Sequence, residues 1–265
     1  MDGKLNIPAI PAARRSRATA DDFDAAKAHA AGAVGEAPLP DEVDLRRPWH
    51  TVPDQGRTAS CVGWAVADSV LRWHMVEAGQ LAPDQPLSAR HVWMSAKETD
   101  QREEYPSTFL EEDGTSLKAG LDVIRKFGAV LEDELPWSGR LAAGSPEAYY
   151  ASAKRRRIMA YFNLGDDSAT DRTAHFDEWR RWMHENGPVL VLVALDGKLE
   201  TPGASLDVFD RDAAHGSHAA ALFGYGPDYF LLRSSWGPSW RDGGYARMSL
   251  EYTAEAVIES YGVML

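Results

Sequence analysis

The chain has one cysteine, Cys61, in 265 residues. No internal disulfide can form, so nothing in the sequence points to an oxidising compartment. Long apolar runs are missing as well. No stretch approaches the roughly 18 residues that a membrane span needs. The N-terminal segment MDGKLNIPAIPAARRSR lacks the continuous apolar core of a secretory signal. The expectation is a cytoplasmic protein with no membrane partner. Positive charge is scarce: 28 Lys and Arg stand against 40 Asp and Glu, for a net charge of −12. A polyanion such as nucleic acid would be repelled, which excludes it as a main partner. No HExxH or CxxC spacing occurs, no Gly-rich phosphate loop is followed by lysine, and GxSxG is absent. The expectation is no metal, no cofactor and no serine nucleophile.

What is present divides along the chain. Residues 1–38 are rich in Ala, Arg and Asp. Within them, TADDFDAAKAHAAGAVGE fits an amphipathic helix capped by Thr19 or Asp21, a disordered arm, or a short segment that packs over a cleft. The prolines and acids of APLPDEVDLR mark a boundary. From Ser60, a natural N-cap, Val62, Ala65, Val66, Ser69, Val70 and Trp73 recur at helical spacing until Gly79. Further helices are predicted in LSARHVWMSAKETD, in SLKAGLDVIRKFG with Gly128 as its stop, and in HFDEWRRWMHENG, which ends at Gly187. The period then changes. PVLVLVAL reads as a buried strand, and HAAALFGYG, YFLLRSSW and YARMSLEY follow as antiparallel strands between Gly-rich turns. Helices early and strands late give an α+β class with two lobes, the helical one spanning approximately 55–165 and the β-rich one approximately 185–265.

A lone cysteine is usually a small buried hydrophobe. Cys61 is better placed than that. It follows the N-cap, where unpaired N–H groups and the helix dipole favour an anion, lower the thiol pKa and make a nucleophile. An oxyanion formed by attack on a carbonyl needs donors. The Cys61 N–H offers one, and Gln55, ahead of the turn QGRTAS, can swing its amide back to offer another. Of eight histidines, His74, His91, His175 and His184 fall in helices as surface or packing residues. His218 opens a strand after a loop, a sound place for a general base, with His215 a weaker rival. The basic clusters RRSR and KRRRIMAYF read as solvated faces. The acidic loop LETPGASLDVFDRDAAHG reads as surface or as a cleft edge that selects basic side chains.

Taken in order, LPDEVDLR…DQGRTASC, GSHAAALFGYG and LLRSSWGPSWRDGGYARM resemble the papain-like cysteine peptidases, bacterial members included, from about Leu39 to the C-terminus. The resemblance implies a papain-like domain over 39–265, with 1–38 an N-terminal arm or short pro-like segment. It implies two lobes around a cleft, Cys61 as nucleophile, His218 as base, and Gln55 as the oxyanion-hole side chain. Trp236 would cover the partner of His218, and Asp113, Gly114, Thr115 and Ser217 would line the substrate cleft. The chain departs from the family at two places. The nucleophile helix begins Cys61-Val62-Gly63-Trp64, and Ser234 stands where the family has an asparagine accepting from the imidazole Nδ1–H. A serine reaches less far, so a backbone shift or a bridging water is expected, with activity reduced. The implied activity is hydrolysis of a peptide or protein substrate through a Cys61 thioester. Acyl transfer through that thioester, and a catalytically silent peptide-binding module, are the alternatives.

Overall fold

The computed structural model describes residues 13–100, 105–140, 144–166, 168–169 and 171–265. The arm enters as strand β1 (Ala13–Arg14) and a one-turn 3₁₀ segment (Thr19–Asp21). Helix α1 follows (Ala25–Ala30) and is capped by Asp24, which accepts from the Lys27 N–H. The cap is therefore neither Thr19 nor Asp21, and the helix is shorter than its alanine-rich sequence suggests. Strand β2 (Val43–Asp44) then leads to a continuous helix made of α2 (Cys61–Trp64), a π-helical stretch (Ala65–Arg72) and α3 (Trp73–Glu77). Gly79, at φ 68°, ends it in the left-handed conformation that suits glycine.

Two more helices pack on this one. Helix α4 (Ala89–Thr99) is capped by Ser88. Strand β3 (Thr115–Ser116) runs straight into α5 (Leu117–Lys126), which Ser116 caps. Gly63 explains the departure in the α2 sequence. A Cβ placed there would stand 2.4 Å from the Ala89 carbonyl oxygen and 2.7 Å from the Trp93 Cβ. Only a glycine allows α2 and α4 so close.

The rest builds a sheet. Helix α6 (Pro146–Ala153) and β4 (Ala160–Asp166) precede α7 (Phe176–Glu185) and β5 (Val189–Leu195). Next come β6 (Gly216–Tyr225), β7 (Tyr229–Arg233), β8 (Tyr245–Ser249), α8 (Leu250–Ala256) and β9 (Val257–Met264). Strands order as β4-β9-β5-β6-β7-β8, with β2 added along β6, and every pairing in this sheet is antiparallel. Val189, Leu190, Val191, Leu192 and Val193 are fully buried, each contributing roughly 1.5–3 kcal/mol of hydrophobic stabilisation. The α+β class with a helical lobe and an antiparallel sheet lobe is as expected.

Several elements differ from the sequence reading. LEY, assigned to a strand, opens α8, because the Ser249 hydroxyl accepts from the Tyr252 N–H and starts a helix. Strands β4 and β9 went unrecognised, and β4 lies inside the stretch assigned to the helical half. The acidic loop before β6 is mostly exposed, in keeping with the surface reading, and is anchored where the Arg241 guanidinium donates to the carbonyls of Lys198, Thr201 and Ala204. Among the described residues no helix is long and apolar enough to cross a membrane.

Candidate active site

Cys61 begins the long helix and faces β6. Its sulfur accepts a hydrogen bond from the Ala219 N–H at 3.4 Å, which ties the thiol to the residue next to His218. Ser60 occupies the N-cap position, but its side chain makes no cap bond and instead meets the Thr58 hydroxyl at 2.6 Å. The ionisation of Cys61 also runs opposite to the sequence expectation. Cys61 is fully buried, and burial pushes its thiol up to about 12, against the pull of N–H groups from Ala219, Val62 and Cys61 itself. In a dry site, desolvation outweighs the helix start.

His218 shows the same effect from the other side. It is 1% exposed, and burial lowers its pKa to about 3. At neutral pH the resting pair is a thiol and a neutral imidazole. The imidazole is held on two sides. Its Nε2 lies 3.0 Å from the Ser234 hydroxyl, and the Trp236 ring covers it at a centroid distance of 4.2 Å. Two details of the sequence reading change here. The serine reaches the ring directly, with no bridging water required, and the nitrogen it meets is Nε2 rather than Nδ1. His215, the rival base, sits away from this group with Nε2 2.9 Å from Glu200.

Gln55 is buried and fixed at both ends of its amide. Oε1 accepts from the Ser235 hydroxyl at 2.6 Å, and Nε2 donates to the Thr58 carbonyl at 2.8 Å. An amide nitrogen carries two hydrogens, so one donor remains after the Thr58 bond. The sequence reading missed Ser235. The signal was available, because in an extended segment alternate side chains diverge and residues beside Ser234 can reach different neighbours.

The residues that the resemblance assigns to a substrate cleft meet the arm. Strand β1 pairs in parallel with β3, Ala13 opposite Thr115 and Arg14 opposite Ser116. The Ala13 carbonyl accepts from the Ser217 hydroxyl at 2.7 Å, and the Arg14 guanidinium donates to the Asp113 carboxylate. The Ser16 N–H donates to the buried Glu259 carboxylate at 2.7 Å. Lys118 then holds Asp22, and the Phe23 carbonyl accepts from Asn163. Asp113, Thr115 and Ser217 thus converge on one segment of the same chain. Gly114 lies between two of them, and Trp236 belongs with the imidazole. Within RRSR, Arg14 is engaged with Asp113, while Arg15 and Arg17 are exposed. Among the described residues, no group of three His, Cys, Asp or Glu side chains is arranged to hold a metal ion.

A helix-borne thiol facing an imidazole strand across two lobes is the architecture of thiol hydrolases, and the structural relatives agree. Xylellain, a cysteine protease from Xylella fastidiosa, superposes with a TM-score of 0.76 at 19% identity, covering 100% of this chain and 98% of that one. Digestive procathepsin L 3 of Tenebrio molitor gives 0.63 at 17% identity over 99% of this chain and 77% of its own. In sequence, the probable cysteine protease RDL3 of Arabidopsis thaliana is 23% identical over 229 residues, 81% of this chain. The chain spans about half the length of that relative, 54%. A family profile described as papain family cysteine protease matches residues 39–264. The chain belongs to the papain family of cysteine proteases.

Proposed function

We propose that the protein is a cysteine peptidase or amidase, held latent by the described part of its own N-terminal arm, residues 13–38. The observation that carries this reading is the contact set around β6: Ala219 N–H on the Cys61 sulfur, and His218 held between Ser234 and Trp236. A merely packed cysteine has no need of an imidazole fixed on two sides by a hydroxyl and an indole.

In the working form, the Cys61 proton passes to His218, and the thiolate attacks a peptide or amide carbonyl. The carbonyl π bond breaks as the C–S bond forms. The resulting oxyanion takes its donors from the Cys61 N–H and the remaining Gln55 N–H. The imidazolium gives its proton to the leaving amine as the C–N bond breaks, which leaves a thioester. Water, deprotonated by His218, then attacks the thioester and releases the acid and the thiol. Ser234 takes no proton. It keeps the ring turned to the sulfur, a role that costs less to lose than the sulfur or the base.

In this reading the arm helps to keep the resting pair neutral. Beside the site it replaces solvent at Ser217 and at β3, and a dry cleft favours neutral thiol and neutral imidazole over the ion pair. Displacing the arm admits water and substrate together. An extended peptide would then bond to the β3 main chain in the place that β1 now holds. The burial of the sulfur is the one observation that favours a silent peptide-binding module instead, and a single experiment separates the two. The full chain and a chain carrying Arg14→Asp and Asp22→Lys, which set like charges against Asp113 and Lys118, are given a peptide library read by mass spectrometry. The loosened chain cleaves peptides, the full chain cleaves them far more slowly, and Cys61→Ala in either background leaves them intact. No cleavage by the loosened chain, with its fold retained, would assign the groove to binding alone.

A further inference from the structure

The helix that carries Cys61 is tied to the strand that leads into Ser234 by a buried group of charges with no part in the chemistry above. Arg233 is fully buried and crosses from β7 to the π-helical stretch. Its Nη2 donates to Asp68 Oδ2 at 2.7 Å and to the Thr51 carbonyl at 3.0 Å, and its Nη1 donates to the Ser69 hydroxyl at 2.5 Å. Asp68 is shared: its other oxygen accepts from Arg72 Nη1 at 2.8 Å, and His50 Nε2 lies 3.5 Å from Oδ2. The Arg72 Nη2 also donates to the Pro83 carbonyl at 2.8 Å.

Three consecutive residues then reach three different parts of the site. Arg233 holds the helix, Ser234 meets His218 Nε2 at 3.0 Å, and Ser235 meets Gln55 Oε1 at 2.6 Å. The backbone confirms the same alignment, because the Gln55 N–H donates to the Ser235 carbonyl at 2.8 Å and the Ser234 N–H to Gly244 at 3.1 Å. The helix contributes its own distortion. Asp68 and Ser69, adjacent in sequence, both turn to one guanidinium in the π-wound stretch, and π turns recur where a helix must present side chains out of the usual register. Simple packing would be served by an apolar pair of the same volume, since a buried ion pair is a weak source of net stability. What a planar guanidinium that forks to Asp68 and Ser69 adds is geometric definition.

We propose that Arg233 is a positioning residue: clamped by Asp68 and Ser69, it fixes the Arg233-Ser234-Ser235 segment so that Ser234 orients the His218 ring and Ser235 orients the Gln55 amide. The clamp sets the relative position of nucleophile helix, base and oxyanion donor through one side chain. This deepens the peptidase reading and rests on it for its meaning, but its test does not depend on turnover.

The test is nitrogen NMR of the imidazoles in the full-length chain with labelled histidine, the His218 signals being identified by their loss in His218→Gln. Arg233→Met removes the clamp. Arg72→Met removes an equally close partner of Asp68 that touches neither Ser234 nor Ser235. Both variants lower the melting temperature. The clamp predicts that only Arg233→Met moves the His218 Nε2 resonance and its tautomer balance, while Arg72→Met leaves them at the wild-type positions. Arg233→Lys, which keeps charge without the fork, gives an intermediate shift and serves as the folded substitute should the methionine variant fail to fold. In the loosened chain, Arg233→Lys lowers kcat roughly ten-fold with KM changed less than two-fold. Unchanged His218 resonances in the Arg233 variants, or an equal shift in Arg72→Met, would overturn the inference. A chain that cleaves no peptide would instead strike the reading of the site and leave the NMR result to decide the clamp.

Discussion

Two dry polar clusters lie side by side in this protein and handle burial in opposite ways. Around Cys61 and His218 the groups have one or two weak partners each, and the medium strips both of charge, the thiol pushed up to about 12 and the imidazole down to about 3. Around Asp68 the carboxylate faces Arg233, Arg72 and His50, and it is held well below the ordinary carboxylate range although burial alone would raise it. The difference lies in the partners, not in the depth. A buried group stays ionised only when opposite charges and donors replace its water. The Cys61–His218 corner lacks such partners, so under the proposed function its charge is created only when substrate and solvent enter. The clamp has them at all times, so it can act as a fixed frame.

Breaking the charged cluster should give the largest effect. Asp68→Ala strands Arg233 and Arg72 without their counter-ion, and the loss is about 3–5 kcal/mol, the usual result of removing one partner of a buried pair. Urea unfolding of the full chain measures it. A loss under about 1 kcal/mol would mean that water enters the cluster and the contrast with the catalytic corner is false.

Acid should act first on the buried neutral imidazoles. His218, His74 and His91 have folded pKa values lowered from 6.5 to about 3, about 4 and about 4 by burial. For a base whose folded pKa is depressed, the unfolded chain binds more protons once pH drops below 6.5, so the stabilisation is complete above that value and is lost on the way down. From pH 6.5 to 5.5 the three together lose about 3 kcal/mol. Asp68, with a carboxyl lowered from 3.8, keeps its contribution throughout that window and begins to lose it only below 3.8. Stability measured at half-unit steps should fall steeply below pH 6.5. A flat profile down to pH 5 would show that these imidazoles are hydrated. The smallest change is Ser234→Ala: it removes one neutral hydrogen bond, about 1 kcal/mol of stability, yet it should slow turnover in the loosened chain far more than it lowers the unfolding midpoint. Equal and minor effects on both would leave the imidazole oriented by Trp236 alone.

The sequence made the site's members legible, and the arrangement much less so. Cys61, Gln55 and His218 were readable from a helix start, the turn before it and a strand start, whereas Ser234 and Trp236 came only from the family resemblance; in the structure Ser234 and Trp236 both touch the His218 ring. The helical stops at Gly79, Gly128 and Gly187 were readable for the same local reason, and all three residues take positive φ. The sign of the Cys61 pKa shift was not. A helix start is a local feature, whereas desolvation depends on which distant segment covers the thiol. Asp68 and Arg233 each looked like an isolated polar residue in an apolar run, and their pairing spans 165 positions. Strand β9 was hidden because VIESYGVM mixes polar and apolar residues without alternation, being packed between β4 and β5. The arm's course was hidden too, since its docking rests on single contacts such as Ser217 with Ala13 and Glu259 with Ser16.

The central claim is that Cys61 is a nucleophile kept unreactive by its surroundings rather than an inert thiol. The direct measurement is the rate of iodoacetamide alkylation of Cys61 from pH 5 to pH 9, followed by mass spectrometry, in the full chain and in the Arg14→Asp, Asp22→Lys chain. The account predicts slow alkylation of the full chain across the range. It predicts alkylation at least ~100-fold faster in the loosened chain below neutral pH, with that gain abolished by His218→Ala. Slow alkylation of the loosened chain, rising only at the alkaline end as for an unassisted thiol, would contradict it.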